Sequence, residues 1–70
     1  MPDMEYVVST NLSRIGYEAS NLELHIEFTD GATYAYAQVP EFVFSELMAA
    51  PSKGSYFNRN IKDVYPYSKL

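Results

Sequence analysis

The chain has 70 residues, no cysteine, one histidine and a formal net charge of −4. These counts exclude disulfides, thiolate chemistry, cysteine zinc sites and any all-histidine metal centre, and an acidic total argues against strong general affinity for nucleic acid. With 47% hydrophobic and 20% charged residues, the composition predicts one globular domain over residues 1–70. That length is near the lower limit at which one core suffices, with only ~3–5 kcal/mol of net stability that dimerisation would supplement. No apolar run approaches the ~18 residues of a membrane span, and Met1-Pro2-Asp3-Met4-Glu5 lacks the basic start of a signal peptide. The expectation is a soluble, cytoplasmic protein without a membrane partner.

Residues 4–8 read as a short edge strand or a lead-in that covers the core. Ser9-Thr10-Asn11 has the side chains of a turn. Ile15, Tyr17 and Ala19 alternate with Arg14, Gly16 and Glu18, which predicts a first full strand near 13–18. Gly16 marks a bulge, a close backbone approach, or a small residue under a helix or ring. Ala19-Ser20-Asn21 turns the chain into the strand of residues 22–28, where Leu22, Leu24, Ile26 and Phe28 alternate with Glu23, His25 and Glu27. Alternation of this kind is a half-buried antiparallel strand.

The reversal at Asp30-Gly31 has two readings, and they place the next strand's rings on opposite faces. A two-residue loop sets His25 opposite Tyr36 and leaves Tyr34 and Tyr36 as an aromatic platform on the polar face. A three-residue loop, a type I turn with Gly31 as a bulge, sets Ile26 opposite Tyr34 and Leu24 opposite Tyr36. The bulged form is favoured, because it joins the bulky rings to the apolar row and leaves Ala35 and Ala37 outside.

After Val39 the period changes from two to that of a helix. Pro40 suits a first helical turn and Glu41 the positive end of the helix dipole. Phe42, Val43, Phe44, Leu47, Met48 and Ala50 face inward, Ser45 and Glu46 face solvent, and Pro51 stops the helix. Ser52 is an N-cap for a second helix with Phe57 and Ile61 on one face, and Gly54 marks a tight junction with the first helix. Asp63-Val64-Tyr65-Pro66-Tyr67 reads as extended. The predicted fold is α+β: a three-stranded antiparallel meander (about 13–18, 22–28 and 32–38) followed by two helices (about 40–50 and 53–62) packed on one face.

Chemistry is sparse in this chain. Glu23, His25 and Glu27 share a strand face, yet a solvated polar face explains them without a metal. Ser, His and acid residues lack a nucleophile elbow, and Gly31 and Gly54 stand too far apart for a phosphate loop. The expectation is therefore no enzyme, no metal and no cofactor. Seven tyrosines and four phenylalanines are the unusual feature, since such rings stack bases or fill interfaces. Charge is also split: residues 1–50 hold eight acids and one base, residues 51–70 four bases and one acid. Lys53, Arg59 and Lys62 interleave with Tyr56, Phe57 and Asn58, and cations beside rings, amides and a helix N-terminus suit phosphates and bases.

The Tyr34-Ala35-Tyr36 unit, Val39-Pro40, and Ser52-Lys53-Gly54-Ser55-Tyr56-Phe57-Asn58 with Ile61 resemble the KTSC domain. Ile15-Gly16-Tyr17 and the alternation of 22–28 extend the resemblance over about residues 7–67. That family is named for its place at the C-terminus of some lysyl-tRNA synthetases and also occurs as stand-alone bacterial and phage proteins. Its central Tyr-x-Tyr is matched by Tyr34 and Tyr36, read here as structural. The resemblance implies a small binding module with single-stranded or transfer RNA as partner. The residues expected to carry it are Lys53, Tyr56, Arg59, Lys62 and Tyr65. The alternative is a protein–protein adaptor or a homodimer that uses the same rings.

Overall fold

The computed structural model describes residues 2–70. Its elements are β1 (Glu5–Tyr6), β2 (Leu12–Glu18), β3 (Glu23–Phe28), β4 (Thr33–Tyr36), α1 (Glu41–Ala49), α2 (Lys53–Asn60) and β5 (Tyr67–Lys69). The strands form one antiparallel sheet in sequence order, with both helices inserted between β4 and β5. The α+β class and the two helices agree with the sequence; the three-stranded meander does not, because the sheet has five strands. β1 is the short edge strand that is one reading of residues 4–8, and it pairs only Glu5 and Tyr6 with Ile15 and Arg14. β5 pairs Tyr67 with Tyr36 and Lys69 with Tyr34. Pro66, just before it, needs no N–H there, and its carbonyl accepts from the Ala37 amide at 2.8 Å.

The hairpin between β3 and β4 takes the bulged form. The Gly31 amide donates to the Phe28 carbonyl at 2.9 Å, and the Phe28 amide to the Ala32 carbonyl at 2.8 Å. Gly31 supplies the positive φ of 95° that this loop needs. Ile26 therefore lies opposite Tyr34 and Leu24 opposite Tyr36. A second irregularity, between Leu12 and Arg14 in β2, lets Leu12 and Ile15 share one face despite their odd separation. Both are 1% exposed. They meet Leu24, Ile26 and Tyr36 from the sheet, Val43 and Leu47 from α1, and Phe57 and Ile61 from α2 and its end.

Several boundaries differ from the sequence reading. Leu22 precedes β3, sits at φ 56° and is half exposed; its carbonyl accepts from the Val39 amide at 2.8 Å. Phe42 is 62% exposed, because Val43 with Leu47, and Phe44 with Met48, set the inward stripe of α1 and residue 42 falls outside it. Pro40 is the N-cap of α1, one position earlier than its expected first turn. β4 stops at Tyr36, and Gln38 takes a left-handed φ of 61°. α2 ends at Asn60: the Ile61 and Lys62 amides both donate to the Phe57 carbonyl at 3.0 Å. Lys62 is thus beyond the helix, and does not share its surface with Arg59.

The far face of the sheet is not the solvated surface expected. His25 is 6% exposed and lies between Gly16 and Ala35 on neighbouring strands. Its Nε2 is 3.2 Å from a Glu23 carboxylate oxygen, while the buried Nδ1 has no partner among the described residues. Gly16 is the close approach anticipated as one of its readings: a Cβ there would lie 2.6 Å from Met4 Sδ and 2.7 Å from the Asp3 carbonyl. The N-terminal arm therefore crosses this face directly. Glu27 accepts two hydrogen bonds from Arg14, at 2.6 and 3.1 Å, and the Arg14 guanidinium stands 5.5 Å from the centre of the Tyr6 ring. Those hydrogen bonds hold the Glu27 carboxyl below the usual carboxylate range.

The packing separates two aromatic substitutions. Tyr36→Ala should cost ~3–5 kcal/mol, as for a large ring removed from a core, and leave a domain of this size largely unfolded. Phe42→Ala should change stability by about 0.5 kcal/mol or less. Urea denaturation compares them; a Tyr36→Ala loss below about 1 kcal/mol would contradict the core position of that ring.

Candidate nucleic-acid interface

Five aromatic rings close a circuit on the helix side of the β3–β4–β5 edge. Phe28 lies 5.6 Å from Tyr34, and the circuit continues through Tyr67, Tyr36 and Phe57 back to Phe28 in steps of 5.5 Å between ring centres. Strand register dictates this meeting. Phe28 ends β3, Tyr34 and Tyr36 follow on β4 through the bulged turn, and β5 brings Tyr67 opposite Tyr36. α2 adds Phe57 from above. Edge-to-face and tilted contacts at such distances stabilise beyond area burial alone. The circuit runs from dry to wet: Tyr36 is 3% exposed, Tyr67 59%.

These rings line a cleft of about 340 Å³, together with Asn11, Asp30, Asn58, Lys62 and Asp63. A second groove runs between residues 8–11 and the start of α2, and includes Lys53, Asn58 and Arg59. Asn11 and Asn58 line both, so the two depressions adjoin. Gly54 permits this junction, because a Cβ there would lie 2.6 Å from Asn11 Oδ1. The tight contact expected of Gly54 is thus with the turn at Ser9-Thr10-Asn11 rather than with α1. Ser9 Oγ donates to Asn11 Oδ1 at 3.1 Å and accepts from the Leu12 amide at 3.2 Å, which fixes the amide side chain. Ser52 caps α2 as its sequence suggests, with Oγ accepting from the Ser55 amide at 3.3 Å.

The residues singled out from sequence fall into three places. Lys53 and Arg59 border the second groove and Lys62 the aromatic cleft. Tyr56 and Tyr65 line neither; both pack half-buried against the core. The Tyr56 hydroxyl donates to Glu46 Oε1 at 2.7 Å and ties α2 to α1. Tyr34 and Tyr36 belong to the circuit, the inner part of which is core. Tyr67 and Asn11 were not singled out as site residues. Tyr67 was visible as a ring, but its place depends on β5, a strand of three residues. Asn11 looked like turn chemistry and nothing more.

Charge around these grooves is unpaired. Among the described residues the ion pairs are Arg14 with Glu27 and His25 with Glu23, both on the far face of the sheet. Lys53, Arg59, Lys62 and Lys69 pair with no carboxylate, although Lys53 Nζ donates to the Ala50 carbonyl at 3.3 Å. Burial, with Tyr67, Tyr34 and Asp63 nearby, pushes the Tyr36 phenol up to about 12. Burial and the Glu46 carboxylate push Tyr56 up to about 12 as well. Both phenols stay neutral at physiological pH.

The family model described as the KTSC domain matches residues 8–65. A lysine–tRNA ligase of Trichormus variabilis is 44% identical over 54 residues, which cover 77% of this chain and 10% of the ligase. The chain thus spans about a tenth of the length of the ligases it matches. A protein of Tsukamurella paurometabola is 41% identical over 59 residues, 84% of this chain and 88% of its own length. The crystal structure of a KTSC domain protein from Yersinia pestis superposes with a TM-score of 0.94 at 35% identity, over 100% of this chain and 99% of that one. Among the described residues, no helix is long and apolar enough to cross a membrane.

The two raised phenols set an alkaline limit. An unfolded tyrosine loses its proton near its ordinary value of 10.0, while Tyr36 and Tyr56 hold theirs to about 12 when folded. Their contribution is therefore complete below about pH 9 and is lost as pH rises through the folded value. Urea midpoints should be flat from about pH 7 to 9 and fall above 10, and Tyr36→Phe should shallow that fall. An identical fall in Tyr36→Phe would remove Tyr36 from the account.

Proposed function

This chain belongs to the KTSC domain family, and from that premise we propose that it is a non-enzymatic module that binds single-stranded RNA, transfer RNA included. One observation carries the reading: an aromatic cleft adjoins a groove, and Lys53, Arg59 and Lys62 around the two have no carboxylate partner among the described residues. A base stacks on the exposed face of Tyr67, an interaction that any base can make. The strand then crosses Asn58, with phosphates on Lys62 at one side and on Arg59 and Lys53 at the other. Asn11 and Asn58 offer amides at the crossing.

The net charge of −4 does not oppose this. Screening confines surface fields to ~8–10 Å at ordinary salt, while the molecule measures 28 × 23 × 22 Å. Glu18, Glu23 and Glu27 lie on the far face of the sheet, and each groove answers to the groups that line it: Lys53 and Arg59 in one, Lys62 with Asp30 and Asp63 in the other. The ligases among the relatives are named for a transfer RNA, which supports an RNA partner for a domain they share. The one histidine, His25, is buried on the sheet face away from the cleft, which supports a binding role for the cleft over histidine acid–base chemistry there. The alternative, an adaptor or homodimer, draws on the exposed Tyr67 and Val64 near the same edge.

Salt separates the two readings, because phosphate contacts weaken steeply with ionic strength and an apolar contact does not. Fluorescence anisotropy with a labelled single strand of ~12 nucleotides should show binding that falls with salt. Arg59→Ala combined with Lys62→Ala should flatten the log–log slope by roughly 1.4, since each phosphate contact contributes about 0.7 on single strands. Tyr67→Ala should weaken binding at every salt concentration while the slope stays. Absent binding, or identical curves for wild type and double variant, would sink the RNA reading and favour the adaptor.

A further inference from the structure

Resting on that RNA reading, we infer that the aromatic cleft selects a guanine base, with the Asp63 carboxylate as the group that reads it. At about 340 Å³ the cleft is at the small end of the ~300–1,000 Å³ typical of ligand pockets. It holds one base rather than a run of them. Its ring walls do not discriminate, because every base has a π-face. Selection must come from the polar rim: Asn11, Asp30, Asn58, Lys62 and Asp63.

Two members of that rim are already engaged. Asp30 Oδ1 accepts from the Ala32 amide at 3.0 Å as part of the turn, and Asn11 Oδ1 accepts from Ser9. Asp63 forms no ion pair and no side-chain hydrogen bond among the described residues. It is an exposed residue of the cleft lining, in the company of Tyr36, Tyr67, Asn58 and Lys62.

An ionised carboxylate only accepts hydrogen bonds, through two adjacent oxygens. It needs two adjacent donors from a base, and guanine's N1–H and N2–H₂ present them side by side. Adenine and cytosine each set a donor beside a ring nitrogen lone pair, which would face the second oxygen. Uracil has one donor flanked by two carbonyls. Guanine also carries O6 next to N1, and the rim has donors for it in the Lys62 ammonium and the Asn58 amide. The neighbours Lys62 and Asp63 thus match the acceptor and donor ends of a single base edge. Recognition of unstacked bases on this edge is how single strands are read.

The test uses U-rich strands of ~12 nucleotides that differ only at one central position, as G, A, C or U, measured by anisotropy with the whole chain. The G strand should bind at least about fivefold tighter than the others, the low end expected for a two-point base contact at a wet rim. Asp63→Asn should abolish the preference, because an amide offers one acceptor beside one donor, a pair that an edge of every base can meet. The ratio is the readout, so the generic gain from a lost negative charge does not enter it. As competitors, 5′-GMP should displace the labelled G strand at lower concentration than 5′-AMP. Uniform binding of all four strands that is lost in Tyr67→Ala would overturn guanine selection and leave the RNA reading standing. A G preference that persists in Asp63→Asn would overturn the role of Asp63. No binding of any strand would overturn the RNA reading itself.

Discussion

The whole arrangement depends on one extra residue in the turn at Thr29-Asp30-Gly31. Strand side chains alternate with a period of two, so loop length decides which face of the sheet β4 offers to the helices. With Gly31 at a φ of 95°, the loop has three residues, and Tyr34 and Tyr36 point to the side of Ile26 and Leu24. One residue fewer would put both rings beside His25 and Glu27 and leave small alanines facing α2. The core would lose Tyr36, Phe57 would keep only Phe28 of its two ring partners, and Tyr67 on β5 would meet alanines in place of rings. A residue with a Cβ resists this backbone geometry. Core, sheet edge and cleft therefore share one local cause.

How much of this was legible follows from how local each signal is. The alternation of 22–28, the helix-breaking Pro51, the Ser52 cap and the bulged turn all act over a few residues, and each produced its element. The failures lie where a side chain's fate is set by something distant in sequence. Leu12 lies outside the strand expected near 13–18, because no local pattern shows that a bulge will swing it onto the face of Ile15. His25 sits in a perfect polar alternation, yet it is buried on a face that Asp3 and Met4 cross at Gly16. Lys62 continues the helical spacing of Arg59, but Phe57's carbonyl captures both amides after Asn60 and ends the helix early. The candidate site was legible in composition, basic residues among rings near α2. Its assembly was not, since Tyr67 joins only through a three-residue strand, and Tyr56 is drawn away to Glu46.

The two faces of the sheet have taken on different chemistry. On the far face, charges are matched: Arg14 lies between Glu27 and the ring of Tyr6, and Glu23 meets His25. On the helix side near α2, the polar groups are left unmatched at the surface, where water satisfies them. Stabilising detail is thus concentrated on one side and available hydrogen-bonding capacity on the other.

Leaving four cations unpaired is nearly free in stability, which is why it is informative about function only in company. A surface ion pair contributes a median of about 0–1 kcal/mol, so selection for folding alone is almost indifferent to whether Arg59 or Lys62 finds a carboxylate. Exposed tyrosine is different. Tyr67 keeps 59% of its surface in water while its ring contacts two others, and a smaller or more polar residue at a sheet edge would satisfy folding as well. The circuit needs Tyr36 and Phe57 for the core, yet it extends outward through Tyr34 to Tyr67 past the point where burial rewards a ring. That outward extension, ending beside Lys62, Asp63 and Asn58, sets the cleft apart from the ordinary margin of a small hydrophobic core.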